Sequence, residues 1–192
     1  ELRQLLDHQL PTQLAVTWAG ANTDSPDWLP VLQDLASQGS RMPPKDDQVP
    51  SSIRFCFLQE ERQLPWTFCW NDPAWSRLWQ FHLHYFDWAR EWLHQSQVSG
   101  EWPAEAFSLQ HLIDHWIAAN PPGQGDGWHS YTISLRTRNW IWLFRCYPEL
   151  ATPLRLQSLW QQLLWLKAHP EQCHGGNHWL ENLTALALGG LQ

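Results

Sequence analysis

From Asp72 onward apolar residues recur three and four positions apart, the period of amphipathic helices. The pattern predicts five helices: an aromatic-rich one over 72–94, then 104–119, 128–147, 153–169 and 177–189. Asp72-Pro73 supplies a cap and a first helical residue, where the missing proline N–H costs nothing. The connections at 98–103, 120–127, 146–148 and 170–176 are short and punctuated mainly by Gly and Pro, so successive helices are expected to stack as antiparallel pairs. Ahead of Asp72 the signal is weaker. Two short helices are predicted at 2–9 and 27–37, followed by a polar loop at 38–50. Residues 53–58 and 64–68, separated by the charged Gln59-Glu-Glu-Arg62, read as a small hairpin or as two extended pieces. The expected fold is all-α, with residues 1–50 as a lead-in region of short helices and loop and residues 51–192 as the helical part. Its hydrophobic faces are broad and the last helix is still apolar at its end, which points to an incomplete (α/α) toroid or a solenoid, truncated at the C-terminus, rather than an isolated bundle.

A chain of 192 residues is expected to make one domain with a real core. Its 16 Trp among 26 aromatic residues fit either a helical core of large side chains or a cleft with aromatic platforms for sugars, whose C–H faces lie well on rings. The net charge of −7, from 12 basic and 19 acidic residues, argues against a general nucleic-acid binder or a polybasic membrane-surface protein. The charge is uneven, because residues 127–148 hold His129, Arg136, Arg138 and Arg145 but no Asp or Glu. Such a stretch suits an anionic ligand. The 4 cysteines show no Cys-x-x-Cys spacing, so neither a disulfide framework nor a zinc site is indicated. No run of 18 apolar residues occurs, and residues 1–10 lack a signal-peptide pattern.

Three segments carry candidate chemistry. In residues 77–88, His82 and His84 lie about 200° apart on a helix and cannot share an ion. Trp79, Leu83, Phe86 and Trp92 are expected to pack there, and Tyr85, His84 and Asp87 remain candidates for lining a cleft. In residues 127–142, Arg136, Asn139 and Trp140 fall at i, i+3 and i+4 on one face. A guanidinium for carboxylate, an amide for hydroxyl and an indole for a ring face suit an acidic sugar. The competing reading has Arg136 bridging helices and Asn139 satisfying a loop carbonyl. In residues 173–190 the pair Gly175-Gly176 allows close backbone approach or positive φ. It delivers Asn177, His178 and Glu181 to one face of a helix whose opposite stripe, Trp179, Leu183, Leu186 and Leu188, is expected to be buried. The plainer alternative makes Asn177 an N-cap and His178 a core histidine. His174, His178, Glu181 and Cys173 match no zinc spacing, and no nucleophile elbow or phosphate loop occurs. No metal and no cofactor are expected.

Taken in order, Leu78-Trp-Gln-Phe-His-Leu-His-Tyr-Phe-Asp87, then Trp128 through Arg136 to Asn139-Trp140, then Gly176-Asn-His-Trp-Leu-Glu-Asn182 resemble the heparinase II/III-like polysaccharide lyases, from about Phe55 to the end. The resemblance implies an incomplete (α/α) toroid followed by a β-sandwich. It also implies cleavage of a uronic-acid-containing chain by β-elimination, in which the C5 proton α to the carboxylate is removed and donors must gather at that carboxylate. On this basis Asn177 and His178 would neutralise the carboxylate and Glu181 would support them. Arg136, Asn139, Trp128 and Trp140, with Tyr85 and His84, would hold the polymer. The family's catalytic tyrosine and histidine lie beyond the Asn-His segment, whereas Tyr85, Tyr131 and Tyr147 precede it. The expectation is therefore an N-terminal portion, of little activity alone, whose partners are an acidic polysaccharide and the missing C-terminal β-sandwich part, with no nucleic acid and no membrane insertion. A periplasmic or secreted location follows from the same resemblance. A different class on the same scaffold is a non-catalytic carbohydrate-binding or assembly module for bacterial surface polysaccharide. A third, a helical repeat protein for protein partners, predicts Asn177 and His178 buried in helix packing.

Overall fold

A computed structural model describes residues 51–99, 108–171 and 176–190. The expected helices at 2–9 and 27–37, the loop at 38–50, Cys173 and His174 lie outside the described residues. Within them the chain is mostly helical with one two-stranded antiparallel sheet. The order is β1 (Ser52–Phe57), β2 (Glu60–Pro65), α1 (Arg77–Tyr85), α2 (Asp87–Ser99), α3 (Leu109–Ala119), α4 (Ser130–Cys146), α5 (Pro153–Ala168) and α6 (Asn177–Leu188). Single 3-10 turns, Asp126–Trp128 and Pro148–Leu150, lead into and out of α4. No helix here is long and apolar enough to cross a membrane.

The extended pieces form a hairpin, paired from Ser52↔Pro65 to Phe57↔Glu60. Alternation sets the register: Ile53, Phe55, Phe57 and Leu64 are buried, while Arg54 and Cys56 face outward. The charged residues 60–62 belong to β2 rather than to the connection. That connection is only Leu58-Gln59, both at positive φ (55° and 64°), the two-residue turn whose twist matches paired strands.

The single helix expected over 72–94 is two. Residues 72–75 make a turn in which the Asp72 carboxylate accepts from the Ala74 N–H and the Asp72 carbonyl from that of Trp75. α1 begins after Ser76, whose hydroxyl accepts from the Trp79 N–H, and stops at Phe86, which is left-handed at φ 61°. A bulky residue keeps that conformation only where its surroundings compensate the strain. Phe86 is wholly buried, stacked on Trp70 and packed against Trp88 and Trp140. α2 restarts at once, with the Asp87 carboxylate accepting from the Trp88 N–H.

Trp70, Trp79, Trp116 and Trp140 are fully buried together with Phe55, Phe86 and Phe144. For these residues the abundance of Trp is a packed core, not a set of sugar platforms. α4 is the central helix, packed on α1, α2, α5 and α6.

Candidate functional site

The face shared by Arg136, Asn139 and Trp140 is turned inward, not toward a cleft. Arg136 is fully buried: its Nε donates to Gln162 Oε1 on α5 (2.7 Å), Nη2 to the Gly127 carbonyl (2.8 Å) and Nη1 to the His84 carbonyl (3.4 Å). Its guanidinium also lies 3.8 Å from the centre of the Trp116 ring. Burial pushes this group well below its usual value, and the three acceptors and the ring face offset that cost. Asn139 donates to the Tyr85 carbonyl at 2.8 Å and accepts from Arg90. Together the two side chains of α4 cap the C-terminal carbonyls of α1, so the bridging role, the competing reading of this triplet, is the one observed. Trp140 is fully buried, and its Nε1–H has no hydrogen-bond partner among the described residues. Trp128 is buried too and donates to the Asn120 carbonyl.

His84 belongs to the same interior. Its Nδ1 accepts from Trp116 Nε1–H (3.0 Å), and its Nε2 faces Asn71 Oδ1 (3.2 Å), which makes it an Nε2–H tautomer. Burial, reinforced by the Arg136 charge, lowers its pKa to about 3, so the ring is neutral. Gly127 passes so close that a Cβ there would lie 3.0 Å from this imidazole.

The other expected residues gather at the surface, along the seam between α4 and α6. Gly176 has φ 97°, and α6 starts at Asn177 with no side-chain cap. Asn177 is exposed rather than engaged as an N-cap. The His178 side chain is 38% exposed and therefore not a core histidine. Its ring stacks on Tyr131 of α4, with centroids 4.1 Å apart and planes at 20°. Tyr85 is buried beneath, edge-on to Tyr131, and burial raises its pKa, with Tyr131 adding to the effect. Glu181 forms an ion pair with Arg138 of α4, so its partner is the neighbouring helix rather than Asn177.

Only part of the expected apolar stripe of α6 packs inward: Leu186 and Leu188 lie partly buried against the core. Asn182 and Ala185 are the buried positions, flanked by His178 and Glu181, while Leu183 is 43% exposed and Trp179 only partly covered. The reason is a polar seam: Asn182 Nδ2 donates to Ser134 Oγ, which donates to the Ser130 carbonyl.

Glu171, from the connection after α5, completes the cluster. One carboxylate oxygen lies 3.4 Å from His129 Nε2 and the other 3.3 Å from His178 Nδ1. Its backbone N–H donates to Asn182 Oδ1 at 2.8 Å. The sequence places His129 in the basic stretch suited to an anion and assigns Tyr131 no part in the site, and it gives Glu171 no role, because a loop residue belongs to no periodic pattern. Its one sequence signal is a lone acid within an otherwise site-like connection. The seam thus presents an amide, a tyrosine and two imidazoles, each imidazole turning one nitrogen toward the Glu171 carboxylate and keeping its other nitrogen on the far edge of the ring. No protein-family model, curated protein or solved structure matches the chain.

Proposed function

We propose that the chain is the helical portion of a heparinase II/III-like polysaccharide lyase, an incomplete (α/α) toroid that binds a uronic-acid-containing polysaccharide along the α4–α6 seam. The observation that carries this reading is the start of α6, where Asn177 is exposed without capping duty and His178 is half-covered, beside a glycine at positive φ. The Asn177 amide and the His178 ring donate to the uronate carboxylate, and so favour the charge that develops there when the C5 proton leaves. Arg136, Asn139, Trp128, Trp140 and His84 act beneath the site, holding α4 against α1 and α5. Tyr85 supports Tyr131 from below.

The test uses the complete gene product against several uronic-acid polymers, following unsaturated product by its ultraviolet absorbance. The expected result is product with at least one polymer, and a loss of about 10²- to 10³-fold in kcat for Asn177→Ala and for His178→Ala. Binding without product across all polymers would favour the assembly-module reading. Neither binding nor product would overturn both.

A further inference from the structure

We infer that the outer stripe of α4, formed by Tyr131, Leu135, Arg138, Trp142 and Arg145 with Arg90 of α2 alongside, is a track that carries an acidic polysaccharide onward from the seam. Residues far from Asn177 and His178 then set the length of chain that the protein holds. The inference rests on the proposed uronate site and extends it, but the residues that carry it are different ones.

Spacings of four and three residues place these α4 side chains on one line along the helix. Every other residue of α4 between Tyr131 and Arg145 is buried. At about 1.5 Å of rise per residue the line runs about 21 Å, longer than a disaccharide. Its near end is the seam, where Tyr131 stacks with the His178 ring. Its far end is cationic. Arg145 is exposed and makes no hydrogen bond or ion pair among the described residues. Arg90, also exposed, lies 4.9 Å from the centre of the Trp142 ring and donates to Asn139 Oδ1, which fixes a second guanidinium beside the same line. The acid-free stretch 127–148 therefore divides: Arg136 turns inward, while Arg138 and Arg145 stay on the outer line. Rings and cations at intervals of one helical turn suit a chain that alternates C–H faces with carboxylates or sulfates. Glu181 of α6 pairs with Arg138, Asp87 accepts from the Trp88 N–H, and Glu91 lines a separate cavity with Arg54 and Trp92 on the hairpin side. None of these three acids forms an ion pair with Arg90 or Arg145.

The test compares disaccharides with hexasaccharides, prepared from polygalacturonate and from hyaluronan, by calorimetric titration of the complete gene product at low salt. Wild type is expected to bind the hexasaccharide of at least one polymer more tightly than its disaccharide. Arg145→Glu should weaken hexasaccharide binding by about tenfold and leave the disaccharide unchanged, whereas Arg145→Lys should stay within about twofold of wild type for both lengths. Exposed charges are screened, so the ratio between wild type and Arg145→Glu should close toward one at about 1 M salt, which a folding defect would not do. Asn177→Ala, at the near end, should weaken both lengths. Two results overturn the track and leave the uronate site standing: wild type binding both lengths equally, or Arg145→Glu keeping wild-type affinity for the hexasaccharide. Hexasaccharide binding that falls with Arg145→Glu but not with Asn177→Ala overturns the seam as the uronate site and supports the track. If neither length of either polymer binds, both readings fall.

Discussion

His84 shows what a single residue contributes when its environment fixes its protonation state. Trp116 points an N–H at one ring nitrogen and Asn71 offers an oxygen to the other, while Asn71 and Asn120 are joined by an amide–amide bond and Asn120 returns to the Trp116 carbonyl. Protonating Nδ1 would bring two donors face to face beside the buried Arg136. Burial, with the Arg136 charge adding to it, sets the folded pKa at about 3 against an unfolded 6.5. Between those values the unfolded chain binds the proton and the folded one does not, so stability rises with pH across the window. The contribution is complete above about pH 6.5, falls by about 1.4 kcal/mol for each pH unit below it, and levels off near pH 3. His115, also lowered by burial, acts in the same direction. Urea unfolding of wild type and His84→Gln between about pH 7 and pH 4 should show the variant less stable at neutral pH but with a shallower pH slope. Parallel curves for the two proteins would exclude His84 as the source.

At the scale of elements, the β1–β2 turn is the place where local preference and structure disagree. Both turn residues have positive φ, yet neither Leu58 nor Gln59 is a residue that favours it. Leu58 is also 54% exposed, so the turn gains little from its side chain. Leu58→Asn with Gln59→Gly, the preferred pair for this turn, is expected to raise stability by about 1 kcal/mol without altering the sheet, measured by thermal unfolding. An unchanged or lowered Tm would mean that the strands, not the turn, set the local conformation. The same conflict explains what could be read from the sequence. α4 and α5 were legible within one or two residues, because long periodic segments with Thr152-Pro153 or Gly-rich starts carry their own boundaries. The break at Phe86 was not, since a buried phenylalanine in the left-handed region is imposed by Trp70, Trp88 and Trp140 from distant parts of the chain. For the site, helical spacing correctly grouped Arg136 with Asn139 and His178 with Glu181 but gave no sign of which face looked outward. In α4 that choice is made by the α1 carbonyls and by Gln162, and no periodicity records them.

For the molecule as a whole, Arg136 is the point where separate elements are tied. One guanidinium reaches α5, the end of α1 and the turn before α4, while its plane covers Trp116 of α3. Opposite this junction, the face of α4 holding Tyr131, Ser134 and Arg138 carries α6 and the seam. Removing the arginine has opposing effects. Its own desolvation is relieved, but the His84 and Gly127 carbonyls and Gln162 Oε1 lose their donors, at about 1–3 kcal/mol for each buried acceptor left unpaired. Three acceptors outweigh one relieved cation, because the charge is already stabilised by directed bonds and a ring face. Arg136→Met, close in volume, is therefore expected to cost about 3 kcal/mol. Arg136→Lys should recover only part of this, since an ammonium cannot reproduce a planar fork aimed at three acceptors. Asn139→Ala, which frees the Tyr85 carbonyl alone, is expected to cost about 1–2 kcal/mol. Both substitutions act on the end of α1, so the double variant should cost less than the two single losses added, with a coupling of at least about 0.5 kcal/mol in urea unfolding. Strict additivity would mean that the two side chains hold α1 independently. An Arg136→Met protein as stable as wild type would place the tie between α1, α4 and α5 in the aromatic packing alone.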